Sequence, residues 1–368
     1  MLASFFLLAI VIYTVTRNGS ARAQTPPTPK TLATNASSAR PIPRGKKPPR
    51  PPPSTSSDPA PAPPPPATQK VMVGLYVHHV NQVDIRLNSF LADFYVWFKW
   101  KGDIDPTKTF ELRNAVEQWQ IVKVPGYADA EGNSTPIELA DGTKYQIFRM
   151  EARFGRPFSV KYYPLDEQDL VIEVEEATYL VNELEYEVDP ESTIDPKLIV
   201  PGWNVAKSEV KEDTAVFATT FGDPRVKRGD DAYSRVTLTV HLVRPTAGML
   251  VKTIVPLAIT ILITFAIFLV EPHLVDARLA LTVTALVSAI ALHFTTATEL
   301  PEVGYLVLLD KVYILSYVVI LLATAESAWG SRLCERGRQT EAQKYDRVAA
   351  VACFILFFGG TALILLWR

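Results

Sequence analysis

The last third of the chain constrains everything before it. After Pro245 come four apolar runs, Thr253–Val270, Leu279–Thr298, Val303–Ala325 and Val348–Trp367, in which Asp310 and Lys311 of the third are the only charges. A helix needs about 20 apolar residues to cross roughly 30 Å of hydrocarbon, and in lipid its backbone can bond only to itself. Four membrane helices are therefore expected, at 249–270, 275–298, 303–329 and 347–367. The connection at 330–346, within GSRLCERGRQTEAQKYDR, is rich in Lys and Arg, whereas ELPE between the second and third runs is acidic. Positive charge stays inside, so this loop is expected in the cytoplasm and both the N-terminal half and the C-terminus outside.

The N-terminal half divides into three. Residues 1–23, MLASFFLLAIVIYTV and a small-x-small site at Ala21-Arg22-Ala23, predict a signal peptide. Residues 24–69 hold 16 of the 29 prolines, with PPRPPP and PAPPPP, and predict an extended, disordered linker. From 70 to 244 short alternating runs such as VMVGLYVHHV, SFLADFYVWFKW and YSRVTLTVHLV are separated by GD, DG, GN and PG breaks. That pattern predicts one extracellular all-β, immunoglobulin-like sandwich.

Several function classes drop out. With 37 basic and 39 acidic residues, no global charge points to nucleic acid. Cys334 and Cys353 both lie in the membrane part, so the sandwich has neither a disulfide nor a cysteine metal site. The five histidines show no metal-ligand spacing and no nucleophile motif accompanies them. No enzyme activity, cofactor or metal is expected.

The second run is not uniformly lipid-facing. At 100° per residue, Asp276, Ala280, Thr284, Val287, Ser288, Ala291, Thr295 and Thr298 share an arc of about 120°. Leu281, Val283, Leu286, Ile290 and Leu292 lie outside it. A small, hydroxylic face fits either a close helix-packing seam or a water-lined pore wall; the carboxylate at its end favours the pore.

The order of parts resembles the pentameric ligand-gated ion channels, the Cys-loop receptor superfamily. YVHHVNQVDIRLNSFLADFYVWFKW resembles the first two strands of their receptor domain, and Trp203 in PGWNV their tryptophan after the binding-site loop. Arg244 and Pro256 stand twelve apart, as in the family. DARLALTVTALV, ELPEVGYLVLLD and AESAW resemble the pore helix, its outer link and the third helix of the glycine-receptor type. RPFSVKYYPLDEQDL resembles the signature loop, with Arg156 and Leu170 where the family has its cysteines, as in prokaryotic members.

The resemblance implies a homopentamer whose second helix lines an ion pore through Asp276, Ala280, Thr284, Val287, Ala291, Phe294 and Thr298. It implies coupling through Asp84, Tyr163, Pro164, Asp166, Arg244 and Pro301: Asp166 and Asp84 would meet Arg244, and Tyr163 and Pro164 would press on Leu300–Tyr305. Ala277-Arg278 matches an anion-channel signature, yet Asp276 replaces its proline, and a ring of carboxylates favours permeant cations. Tyr95, Tyr179 and Tyr233 are the candidate ligand-binding aromatics, but Ala177 and Arg228 stand where others are usual, so a full cage for an amine is not implied. The stimulus is an unknown small ligand or protons. A multi-pass protein of the plasma (inner) membrane, in contact with lipid, is expected. A non-conducting receptor or adaptor, binding a periplasmic or wall partner through the sandwich and Pro-rich arm, is the other reading.

Overall fold

Burial of every second residue builds the first half of the described residues. Along Gln69–Asp84 (β1), Val71, Val73, Leu75 and Val77 are buried while Met72, Tyr76 and His78 face outward. The computed structural model describes residues 68–222 and 232–367. The expected signal peptide, nearly all of the 24–69 linker, and Arg228 lie outside these residues.

The strands that follow are Ser89–Trp100 (β2), Phe110–Leu112 (β3), Ala115–Val116 (β4), Val122–Pro125 (β5), Ile137–Glu138 (β6) and Lys144–Gly155 (β7). Then come Glu167–Glu176 (β8), Leu184–Val188 (β9), Thr193–Ile194 (β10), Asn204–Val216 (β11) and Ala232–Val243 (β12). One sheet runs β10-β1-β2-β7-β4, with β5 and β6 also on β7 and β9 beside β1; the other runs β11-β12-β8-β3. Phe94, Val96, Phe98 and Phe148 of the first face Ile172, Val174, Leu238 and Val240 of the second in one apolar core. The expected sandwich is what forms, because antiparallel strands with one apolar face must bury it against another sheet.

Gly74 of β1 lies directly opposite Trp97 of β2 in the larger sheet. A Cβ there would stand 2.0 Å from the Trp97 indole, whose Nε1 donates to Asp189 at 2.8 Å.

Four helices long and apolar enough to cross a membrane follow: Thr246–Ala266 (α1, ending in a short 3₁₀ turn), Val275–Thr298 (α2), Leu308–Glu335 (α3) and Gln339–Leu366 (α4). The last two differ from the expectation. α3 begins at Leu308 rather than 303, where the Val307 amide donates to Asp310 Oδ2 at 2.9 Å. The stretch 330–346 is no loop: only Arg336–Arg338 separate α3 from α4, around Gly337 at φ 74°. Hydropathy stops at the first charges, but Arg, Lys, Glu and Gln are good helix formers, so the helix continues until a residue tolerant of positive φ ends it.

Candidate functional site

The signature loop lies between β7 and β8, at the end of the sandwich that meets the helices. Arg244, just after β12, forms a two-pronged pair with Asp166: Nε to Oδ1 at 2.7 Å and Nη2 to Oδ2 at 3.0 Å. Both side chains are buried, at 9% and 2% exposure, so each depends on the other for its charge to be tolerated. Gln168 Nε2 donates to Asp166 Oδ2 at 2.7 Å and to the Ser159 carbonyl at 2.8 Å, fixing the carboxylate. The guanidinium also lies over the rings of Trp203 and Tyr163. Burial raises the Tyr163 phenol above its usual range.

The loop closes without a disulfide. The Arg156 amide donates to the Asn88 carbonyl at 2.8 Å, Leu170 sits in the sandwich core, and Cys334 and Cys353 are free thiols.

Asp84 is not where the resemblance puts it. Its Oδ1 accepts the Leu87 amide at 2.9 Å, bracing the β1–β2 turn, and among the described residues no ion pair joins it to Arg244. The fork of Arg244 is already filled by Asp166, and Asp84 is used by its own turn. The turn meets the loop through neighbours instead: Asn88 Oδ1 accepts the Phe158 amide at 2.9 Å, and Ile85 packs against the Val160 and Tyr163 cluster.

Tyr163 and Pro164, joined by a cis peptide, reach the helices a little further along than expected. Tyr163 is buried with Val160, Leu257, Val307, Leu309, Val312 and Tyr313, and only the edge of this cluster includes Leu300 and Val303. Pro164 lines an apolar cavity of about 400 Å³ with Val251, Val255, Leu308 and Leu365 among others. A main-chain bond, Leu308 N to Lys161 O at 2.9 Å, joins the loop to the start of α3. Pro301 is buried in the α2–α3 link.

On α2 the buried positions are Arg278, Thr282, Ala285 and Ala289. Asp276, Ala280, Thr284, Val287, Ala291, Phe294 and Thr298 are all exposed on the protomer. At 100° per residue these seven span about 80°, centred nearly opposite the buried stripe. Higher on the helix, His293 bridges to α3: Nδ1 to the Tyr317 hydroxyl at 3.0 Å, Nε2 to Asp310 Oδ1 at 3.2 Å, with its ring stacked on Tyr313.

The three candidate ligand-binding tyrosines are not brought together. Tyr95 is on the larger sheet, 6.4 Å from the Tyr76 ring, and Tyr179 packs against the sandwich core. Tyr233 lines a cavity of about 230 Å³ with Glu111, Arg113, Glu175, Glu176, Ala177, Phe217 and Phe221. Phe217 contacts both Phe221 and Tyr233, with ring centres at 5.2 and 5.8 Å, and Arg113 lies over it. Glu175 is buried; burial pushes its carboxyl up, against the pull of Arg235 and Arg113. Glu176 accepts from the Thr109 and Tyr186 hydroxyls and from the Thr178 and Tyr179 amides, so its oxygens are committed to structure. Phe217 and Phe221 gave no sequence signal beyond their aromaticity.

No family model matches the chain. Over 298 residues, 78% of the chain and 80% of the relative, it is 22% identical to "Proton-gated ion channel" of Gloeobacter violaceus. Over 198 residues, 52% of the chain, it is 22% identical to "Gamma-aminobutyric acid receptor subunit beta-like" of Drosophila melanogaster. Over 229 residues, 57% of the chain, it is 23% identical to "Gamma-aminobutyric acid receptor subunit beta" of Caenorhabditis elegans. The matches span 38% and 39% of the two animal proteins. A β-sandwich joined through an aromatic-Pro-x-Asp loop to four apolar helices, together with these relatives, supports the resemblance of the chain to the pentameric ligand-gated ion channels, and neither of its two cysteines lies in that loop.

Proposed function

We propose that the chain is the subunit of a homopentameric, cation-conducting channel of the plasma (inner) membrane, opened by a small ligand or by protons. The sandwich and C-terminus would lie outside and the α3–α4 turn in the cytoplasm. The observation that carries this reading is the surface of α2: a narrow face of small, hydroxyl and carboxylate side chains, exposed on the protomer and nearly opposite the stripe that packs on its own helices.

Five copies around an axis would stack these residues into rings. Asp276 would hold a carboxylate ring at the cytoplasmic mouth, which favours cations, and Val287, with Phe294 above it, would form apolar constrictions able to gate by dewetting. The Asp166–Arg244 pair, with Tyr163 and Pro164 on the helices and Pro301 in the link, would transmit movement of the sandwich to α2. Such an interface has two packings and switches between them.

The cavity under Phe217 and Tyr233 is the best candidate for the ligand. Tyr95, on the other sheet, could join it only from a neighbouring subunit. The Gloeobacter relative's name supports protons as stimulus and the two animal names support a small ligand.

The test is stoichiometry in detergent followed by current recording from the full chain under acid steps. Pentamers whose cation currents change selectivity in Asp276→Ala and gating in Val287→Ala support the reading. A monomer or dimer, or variants that leave both properties unchanged, sinks the pore assignment.

A further inference from the structure

Arg278 carries a charge that the mouth of the pore should not tolerate unbalanced. It sits in the first turn of α2, two residues after exposed Asp276, yet its side chain is fully buried. At 100° per residue the two side chains leave the helix about 200° apart. When Asp276 faces the axis, Arg278 faces the subunit's own bundle.

Its partners come from the other three helical segments. Nε donates to the Val270 carbonyl, after α1, at 3.0 Å. Nη1 donates to Asp346 Oδ1 of α4 at 2.8 Å, and Nη2 pairs with Oδ2 of the same carboxylate. Glu326 Oε2 of α3 stands 3.5 Å from Nη1, while its buried Oε1 has no hydrogen-bond partner among the described residues. One guanidinium is thus enclosed by two carboxylates, each at most 10% exposed.

The two α2 residues have Cα atoms about 5 Å apart, well inside a Debye length of about 8–10 Å at physiological salt. An unpaired guanidinium behind the helix would therefore act on the same ions as Asp276 in front of it, through a medium that screens poorly. We infer that Asp346, with Glu326 beside it, sets the charge selectivity of the pore by cancelling Arg278, so that Asp276 is the charge the mouth presents. The inference rests on the cation-conducting reading above. It assigns a selectivity role to the last helix, which does not line the pore.

The test is the reversal potential of the full-length channel in a sodium chloride gradient. Wild type should reverse near the sodium equilibrium potential. In Glu326→Gln/Asp346→Asn the sodium-to-chloride permeability ratio should fall about tenfold or more, as expected for an uncompensated charge at this range. Adding Arg278→Gln should restore it, which a purely structural role for the carboxylates would not do. A double variant that forms surface pentamers with an unchanged ratio, or a triple variant that stays shifted, overturns the inference while leaving the cation reading intact. Should the double variant not assemble, Asp346→Asn alone, in which Glu326 remains as partner, should show a smaller shift in the same direction; no shift there overturns it too. A chloride-selective wild type, or one without current, would remove the reading and the inference together.

Discussion

The guanidinium carbon of Arg244 stands 4.2 Å from the centre of the Trp203 ring, so the last cation of the sandwich is held by an aromatic face as well as by a carboxylate. Such contacts are worth about 2 kcal/mol when desolvated, and truncating a buried Trp costs about 3–5 kcal/mol. Trp203→Ala should lower the melting temperature clearly, and Trp203→Phe should recover much of it; equal melting of wild type and Trp203→Ala would remove Trp203 from the joint.

Asp166→Ala leaves Arg244 buried without its partner, a loss of about 3–5 kcal/mol. Pentamers should persist by size-exclusion chromatography because the lost contact lies within the subunit, but stimulus-evoked current should disappear. Asp84→Ala should be much milder, since Asp84 braces only its own turn. Normal gating in Asp166→Ala would reduce the loop to a plain turn.

Val287→Ser replaces an apolar side chain on the exposed face of α2 with a hydroxyl. A hydrated constriction conducts at rest, so basal current should rise without stimulus. A silent resting channel would move the gate elsewhere, with Phe294 next in line.

Gly74→Ala drives a methyl into the Trp97 indole. Overpacking of this kind costs about 1–3 kcal/mol, and the larger sheet must shift to accept it. Unchanged thermal stability would mean that Trp97 moves freely.

Glu175 supplies a pH dependence with a definite sign. Burial holds its carboxyl above the usual glutamate range, ahead of the opposing pull of Arg235 and Arg113. A carboxyl raised in the folded state favours the protonated form there, so its contribution is complete below the unfolded value of about 4.3 and is lost as pH rises through the folded value. Melting curves from pH 4 to 7 should show wild type losing stability relative to Glu175→Gln; parallel curves would contradict the shift.

The strands were legible because each rests on something local and periodic, whereas the Asp166–Arg244 pair, 78 residues apart, came only from the family resemblance. Alternation in VMVGLYVHHV fixes which side of β1 is buried, and the exposed face of α2 opposite its buried stripe follows from one helical wheel. Asp84 was misplaced because residue identity says nothing of which donor is nearest, and its own turn offered the Leu87 amide first. The extents of α3 and α4 were misjudged because hydropathy marks where lipid is tolerated, not where backbone hydrogen bonds stop. The sequence neighbours of Arg278 say nothing of its partners Glu326 and Asp346, which lie 48 and 68 residues away. Their presence beside apolar runs was the available hint.

The bond from the Leu308 amide to the Lys161 carbonyl has a different kind of consequence. It is written in main-chain atoms, so any residue at 161 and any but proline at 308 can make it. Alanine scanning passes over such a joint, and sequences can drift at both positions while it persists. Only an edit to the backbone, such as an ester in place of the 308 amide or Leu308→Pro, would expose how much the junction of the loop with α3 depends on it.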